Sequence, residues 1–214
     1  MEKYKVLVVE DQAMPRHLFE LFIEQSERYQ LVKSLESAEL ADIYCLKNPV
    51  DLILMDVLTK NGSSGLKAAE RIKRKKPDIR IIIVTSMPEY SWMERARSIG
   101  VESFWYKDIS KEPILSLMDR TMAGESVYPD APPEVEIGLT TSASFSVREL
   151  EILREMTGGY KNSEIAEHLY LSVNTVKKYI QCMLDKTGFH TRTELAVKAR
   201  EHGLVIIDKE RLDE

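Results

Sequence analysis

Two short runs, Leu52-Ile53-Leu54-Met55 and Ile81-Ile82-Ile83-Val84, are apolar at every position, as a strand with one wet face is not. Each fits a strand covered on both faces, and such strands belong chiefly to parallel sheets flanked by helices. Around them, from Tyr4 to about Met122, β-branched runs alternate with helical periodicity. Strands are expected at Lys5–Val9, Leu31–Ser34, Leu52–Asp56, Ile79–Thr85 and Val101–Trp105. Helices are expected at Pro15–Ser26, Ser37–Leu46, Gly65–Lys75, Tyr90–Ile99 and Lys111–Ala123. The alternation predicts an α/β fold, a five-stranded parallel (βα)5 domain over residues 1–123.

Between Gly124 and Ser144 the periodicity stops, and Pro129, Pro132, Pro133 and Gly138 mark residues 124–144 as a linker. Residues 145–214 then read as a small all-α domain, with helices at Ser146–Met156, Asn162–Leu169, Ser172–Thr187 and Arg192–His202. The formal net charge of -5 argues on average against a nucleic-acid partner. Local charge decides that question, however, and Lys161, Lys177, Lys178, Lys186, Arg192, Lys198 and Arg200 crowd the last domain, while acids gather in the linker and beyond Asp208. Cys45 and Cys182 form no CxxC pair, and no apolar run has membrane-spanning length. A cytoplasmic protein with no membrane partner is expected.

In parallel α/β domains, functional groups collect at the carboxyl ends of the strands. Here those ends supply Glu10-Asp11, Asp56, Thr85 and, just past the last strand, Lys107. Three carboxylates converging at one place repel one another unless a divalent cation lies among them, and an all-oxygen set suits Mg2+. Lys107 offers a positive charge and Thr85 a hydroxyl to phosphoryl oxygens. The implied chemistry is phosphoryl transfer to the Asp56 carboxylate, giving an acyl phosphate. A lone aspartate at a strand end is more often a helix cap, and it is the company of four partners at other strand ends that displaces that reading.

Residues 3–122 resemble the receiver domain of two-component response regulators. The resemblance implies that Glu10, Asp11 and Asp56 bind Mg2+, that Asp56 is the phosphoacceptor, and that Thr85 and Lys107 sense the phosphoryl group. It also implies an aromatic switch at Phe104, three residues before the lysine. The sequence departs from the family just after Asp56. The usual Met-Pro pair is replaced by Thr59-Lys60, and the glycine near the next helix, Gly65, comes one position late. A different loop geometry is expected over Thr59–Gly65.

In the last domain, Ser172 is placed to cap a helix whose residues Val176, Ile180, Met183, Leu184 and Thr187 share one face. Lys177, Lys178 and Gln181 lie on the other face. A short helix, a tight turn and a helix with a basic outer side is how a helix-turn-helix enters the major groove of double-stranded DNA. Thr175, in the first turn, is placed for a phosphate, Lys178 and Gln181 for base edges, and Lys177 for either. A solvated basic face is the bland alternative. Residues 143–205 look like a LuxR-type output domain, carried by Ser146-Val147-Arg148-Glu149, Gly159, Glu164-Ile165-Ala166, Thr175-Val176-Lys177 and Lys186-Thr187-Gly188. Together the two domains resemble the NarL/FixJ class of response regulators. That implies transcriptional regulation, a cognate sensor histidine kinase, and a homodimer on paired DNA half-sites.

Two competing functions differ in kind. A phosphatase working through an aspartyl phosphate resembles the haloacid dehalogenase family and needs a second aspartate two residues past the first. That position is Leu58, so an enzyme is not expected beyond slow self-hydrolysis. The other alternative is a phosphorylation-independent DNA-binding regulator whose receiver serves only for dimerisation or interaction.

Overall fold

The structure, a computed structural model, describes residues 2–107 and 113–205. The expected start of a helix at Lys111 and the acidic tail from Asp208 lie outside the described residues. Two compact units divide the chain, Met1–Ser86 with Ser91–Ala131, and Met87–Tyr90 with Pro132–Glu214.

In chain order the first part contains β1 (Tyr4–Val9), α1 (Ala13–Gln25), β2 (Tyr29–Leu35), α2 (Ala41–Lys47), β3 (Leu52–Asp56), β4 (Leu58–Thr59), β5 (Ser63–Ser64), α3 (Gly65–Lys75), β6 (Arg80–Thr85), α4 (Tyr90–Ser98), β7 (Ser103–Tyr106) and α5 (Ile114–Met122). The five long strands form a sheet in the order β2-β1-β3-β6-β7, and every pairing is parallel. Alternation along each strand divides the core in two. Leu7, Val9, Ile53, Met55, Ile81 and Ile83 pack with Cys45 of α2, Leu66 and Ile72 of α3 and Met93 of α4. Val6, Val8, Leu52, Leu54, Ile82 and Val84 pack with Phe19 and Ile23 of α1 and Leu117 and Met118 of α5. The continuously apolar runs are therefore those of strands with helices on both faces. Burial pushes the Cys45 thiol up to about 11.

Where the sequence departs from the receiver pattern, the loop is built rather than loose. β4 and β5 pair antiparallel, Leu58 with Ser64 and Thr59 with Ser63. The turn between them places Asn61 at φ 64° and Gly62 at φ 75°, the left-handed conformations that this residue pair supports. Gly65 closes the loop, its N–H donating to Val57 O at 2.8 Å. A Cβ there would lie 1.8 Å from Asp56 O, so only glycine lets α3 start this close to the end of β3.

The second part contains β8 (Glu136–Ile137), β9 (Thr140–Thr141), α6 (Val147–Thr157), α7 (Asn162–His168), α8 (Val173–Thr187) and α9 (Arg192–Glu201). Its core gathers Ile152 and Leu153 of α6, Ile165 of α7, Val176 and Met183 of α8, and Leu195 and Ala199 of α9. Much of the segment 124–144, expected to be linker, is structured at both ends. Val127 bridges Ser103 beside β7, and Tyr128 Oη donates to Val101 O at 2.8 Å. Further on, β8 and β9 make a hairpin whose Ile137 is fully buried with the helices of the second part. Leu139 N–H, at the hairpin tip, donates to Thr187 O at 2.9 Å. Gly138, at φ 61°, makes that approach possible, because a Cβ would lie 2.0 Å from Thr187 O.

Gly65→Ala is expected to destabilise the first unit by about 1–3 kcal/mol through overpacking against the β3 backbone. Trp92 and Trp105 are the chain's 2 tryptophans and both fall in that unit, so urea unfolding followed by their fluorescence reports it separately. An unchanged midpoint would show that α3 shifts without strain.

Candidate functional site

The strand order reverses at β1 and β3, which neighbour each other while their crossovers run in opposite directions. Crevices of this kind, beyond the carboxyl ends of the strands, are where open α/β sheets place ligands. Val9 is the last residue of β1, so Glu10 and Asp11 follow directly at the crevice, and Asp56 is the last residue of β3. Glu10 is fully buried and Asp56 is 5% exposed. Carboxylate oxygens of Glu10, Asp11 and Asp56 all lie within 4.8 Å of one another.

Lys107, directly after β7, reaches back into the crevice. Its Nζ donates to Glu10 Oε2 at 2.5 Å and to Asp56 Oδ2 at 2.8 Å. Its own N–H donates to Thr85 O at 2.9 Å, which ties it to the end of β6. The other Asp56 oxygen accepts from Val57 N–H at 2.7 Å, and Glu10 Oε1 accepts from Gln12 N–H at 3.0 Å. The Asp56 carboxyl is pushed up to about 7, first by burial and further by Glu10, against the opposing pull of Lys107. Burial opposes the Lys107 ammonium, yet Asp56 and Glu10 outweigh it and hold its pKa above the ordinary lysine value. One ammonium thus faces two buried carboxylates and a third nearby. The set has room for more positive charge, and its donors are all oxygens, which suits a hard divalent cation such as Mg2+.

The crevice brings together Glu10, Asp11, Asp56 and Lys107. Thr85 sits beside them at the end of β6, 2% exposed, with its backbone joined to Lys107. Phe104 is set back in the core, its ring 5.2 Å from that of Tyr106 and 6.1 Å from that of Tyr128.

The second site is a face of α8. The turn before it carries Tyr170 at φ 54°, with the side chain 95% exposed. Ser172 Oγ accepts from Thr175 N–H at 3.0 Å and caps the helix, which ends at Gly188 in the left-handed conformation, φ 74°. Val176, Ile180, Met183 and Thr187 are buried, while Lys177, Lys178, Gln181 and Cys182 are exposed. Two of the cations counted from the sequence serve inside the domain instead. Lys186 Nζ binds both Glu149 oxygens at 2.8 Å, and Glu149 completes a capping box with Ser146 at the start of α6. Arg192 donates to Asn162 Oδ1 and to Tyr160 O, both at 2.8 Å, joining α9 to α7. Sequence reading did not single out Asp185, which accepts from Gln181 Nε2 at 2.8 Å on the exposed side of α8.

Comparison with known proteins accounts for both halves. The response regulator receiver domain family matches residues 6–119, and the bacterial regulatory proteins of the luxR family match residues 143–199. The response regulator protein VraR of Staphylococcus epidermidis is 31% identical over 209 residues, which span 94% of this chain and 98% of that protein. VraR of Staphylococcus aureus is 30% identical over the same length. A solved chain of RcsB, from a structure of two RcsB dimers bound to two parallel DNAs, shares the fold at a TM-score of 0.62. It is 19% identical and covers 93% of this chain and 98% of its own. With a receiver crevice at the end of its parallel sheet, a helix-turn-helix later in the chain and relatives that match over 94% of it, the chain belongs to the NarL/FixJ-like response regulators, a receiver domain joined to a LuxR-type domain.

Proposed function

We propose that Asp56 accepts a phosphoryl group from a sensor histidine kinase and that this event governs DNA binding by the second domain. The observation that carries the reading is Lys107, hydrogen-bonded at once to Asp56 and Glu10 at the ends of three strands. In the transfer, one Asp56 oxygen bonds to phosphorus while the bond from phosphorus to the kinase histidine nitrogen breaks. That nitrogen keeps the electron pair. The Lys107 ammonium then pairs with a phosphoryl oxygen, and the Thr85 hydroxyl donates to another. Mg2+ held by Glu10, Asp11 and Asp56 would neutralise charge on the incoming phosphoryl oxygens. Phe104 is the residue we assign to the aromatic switch. Leu58 offers no carboxylate for turnover, so the chain acts as a regulator and not as a phosphatase.

On α8 we assign base contacts to Lys178 and Gln181, a phosphate contact to Thr175, and either role to Lys177. A single module of this size binds DNA weakly, so a homodimer addressing two half-sites follows. Among the described residues no helix is long and apolar enough to cross a membrane, and we place the protein in the cytoplasm with its DNA.

With acetyl phosphate and Mg2+, the full chain is expected to take up one phosphoryl group and Asp56→Ala none. Stoichiometric labelling of Asp56→Ala would sink the assignment. No uptake by the unsubstituted chain would leave the receiver as an interaction module only.

The raised Asp56 pKa has a consequence for stability. The folded carboxyl holds its proton up to about 7, whereas its ordinary value is 3.8. Between these values the folded state binds more protons than the unfolded one, so stability falls as pH rises through that window. In EDTA, the Tm of the first unit, read by tryptophan fluorescence, is expected to fall from about pH 4 to about pH 7 and to level off above, and Asp56→Asn to flatten the fall. An equal fall in the variant would assign the dependence to other groups.

Gln181→Ala is expected to reduce the ratio of specific to random DNA affinity by roughly 1–3 kcal/mol and to leave the salt slope unchanged. Lys177→Ala, in its phosphate role, lowers affinity for all sequences and the logarithmic salt slope by about one. Equal loss on specific and random DNA for Gln181→Ala would mean that α8 meets the groove with another face.

A further inference from the structure

Arg16 of α1 is 20% exposed and turns back toward the crevice. Its Nη1 donates to the backbone oxygens of Glu10 at 3.0 Å and of Asp11 at 3.2 Å, the two residues whose side chains begin the acidic set. Its Nη2 lies 3.5 Å from Glu36 Oε1, just past β2. The other Glu36 oxygen accepts from Lys60 Nζ at 2.7 Å, and Lys60 N–H donates to Glu36 O at 3.1 Å. Lys60 stands four residues after Asp56, at the second position of the replaced Met-Pro pair. Its neighbour Thr59 strengthens the same tie, because Thr59 Oγ1 accepts from Ala38 N–H at 2.9 Å and donates to Ser63 O at 2.9 Å.

Glu36 and Lys60 are about half exposed, at 49% and 59%, and ion pairs that wet contribute little to stability. Their arrangement does something else. Each of the three loops that follow β1, β2 and β3 is attached to another by a charged side chain. The chain of contacts ends on the carbonyls of the acidic pair. Lys107 holds Glu10 and Asp56 by their side chains, whereas Arg16 holds the Glu10 and Asp11 backbone beneath the set. Groups that orient metal ligands in this way, without touching the metal, set affinity strongly.

We propose that Arg16, linked through Glu36 to Lys60, is a positioning brace for the divalent-cation site, holding Glu10 and Asp11 at fixed aim toward Asp56. The brace rests on the reading that Glu10, Asp11 and Asp56 hold Mg2+. It also gives the Thr59-Lys60 substitution a role, since a proline at residue 60 has neither the N–H nor the ammonium that reaches Glu36.

Charge alone predicts the opposite of positioning at Lys60. Removing a nearby positive charge would tighten binding of a cation, whereas loosening the loop weakens it. Arg16→Lys keeps the charge and loses the planar fork that spans two carbonyls and a carboxylate. The test is direct titration of the full unphosphorylated chain with Mn2+, counting bound ion by electron paramagnetic resonance, with Mg2+ competition giving the Mg2+ dissociation constant. Arg16→Lys and Lys60→Ala are each expected to raise that constant about tenfold, with urea midpoints unchanged. Asp11→Asn serves as the control that loses a ligand. Wild-type affinity in both variants, or tighter binding by Lys60→Ala, would overturn the brace alone. A wild-type chain that binds no Mn2+ would overturn the cation site and the brace with it.

Discussion

A buried ammonium hydrogen-bonded to two buried carboxylates is the contact around which the receiver is arranged. Glu10 and Asp56 lie buried at the ends of a sheet covered on both faces, and Lys107 donates to both. The arrangement remains short of positive charge. Asp56 answers by holding a proton toward neutral pH, and a cation or a phosphoryl group with its metal would answer differently. Lys107 hydrogen-bonds to Asp56 and is joined through its backbone to Thr85 at the end of the neighbouring strand. A change of charge at Asp56 thus bears first on the ends of β6 and β7.

The sheet was legible because burial on both faces leaves a plain mark. Leu52–Met55 and Ile81–Val84 admit few other roles, and the strand ends then name the acidic set and Lys107 without further information. The short hairpins were not legible. Leu58-Thr59 and Ser63-Ser64 are two-residue strands, too short for any periodicity, and their pairing depends on Asn61-Gly62 and on the tie from Thr59 to the Ala38 backbone. Arg16 was invisible for a related reason. Its partners are backbone oxygens and a glutamate 20 residues on, which no local pattern connects.

In the second domain the sequence named Lys177 and Lys178 on the outer side of the helix, but not the partners that hold Lys186 and Arg192. Lys186 and Arg192 look equivalent to Lys177 in composition, yet they join α8 to α6 and α9 to α7. The distinction comes from partners within the domain, and it is plainest at Lys186. Glu149 is 3% exposed and already receives Ser146, so a cation brought against it is committed to the fold. The outward character of α8 accordingly rests on Lys177, Lys178 and Gln181, and Asp185 adds a carboxylate acceptor that holds the Gln181 amide.

The hairpin at Gly138-Leu139 changes what the connecting segment can tolerate over evolutionary time. Because Leu139 is hydrogen-bonded to the last turn of α8 and Ile137 is buried beneath it, residues added after Glu136 would have to be accommodated against a helix end with no slack. The prolines at 129, 132 and 133 precede this anchorage. Lengthening or shortening among relatives should therefore concentrate on that upstream stretch, so that spacing between the domains can drift while the hairpin that receives it keeps its length.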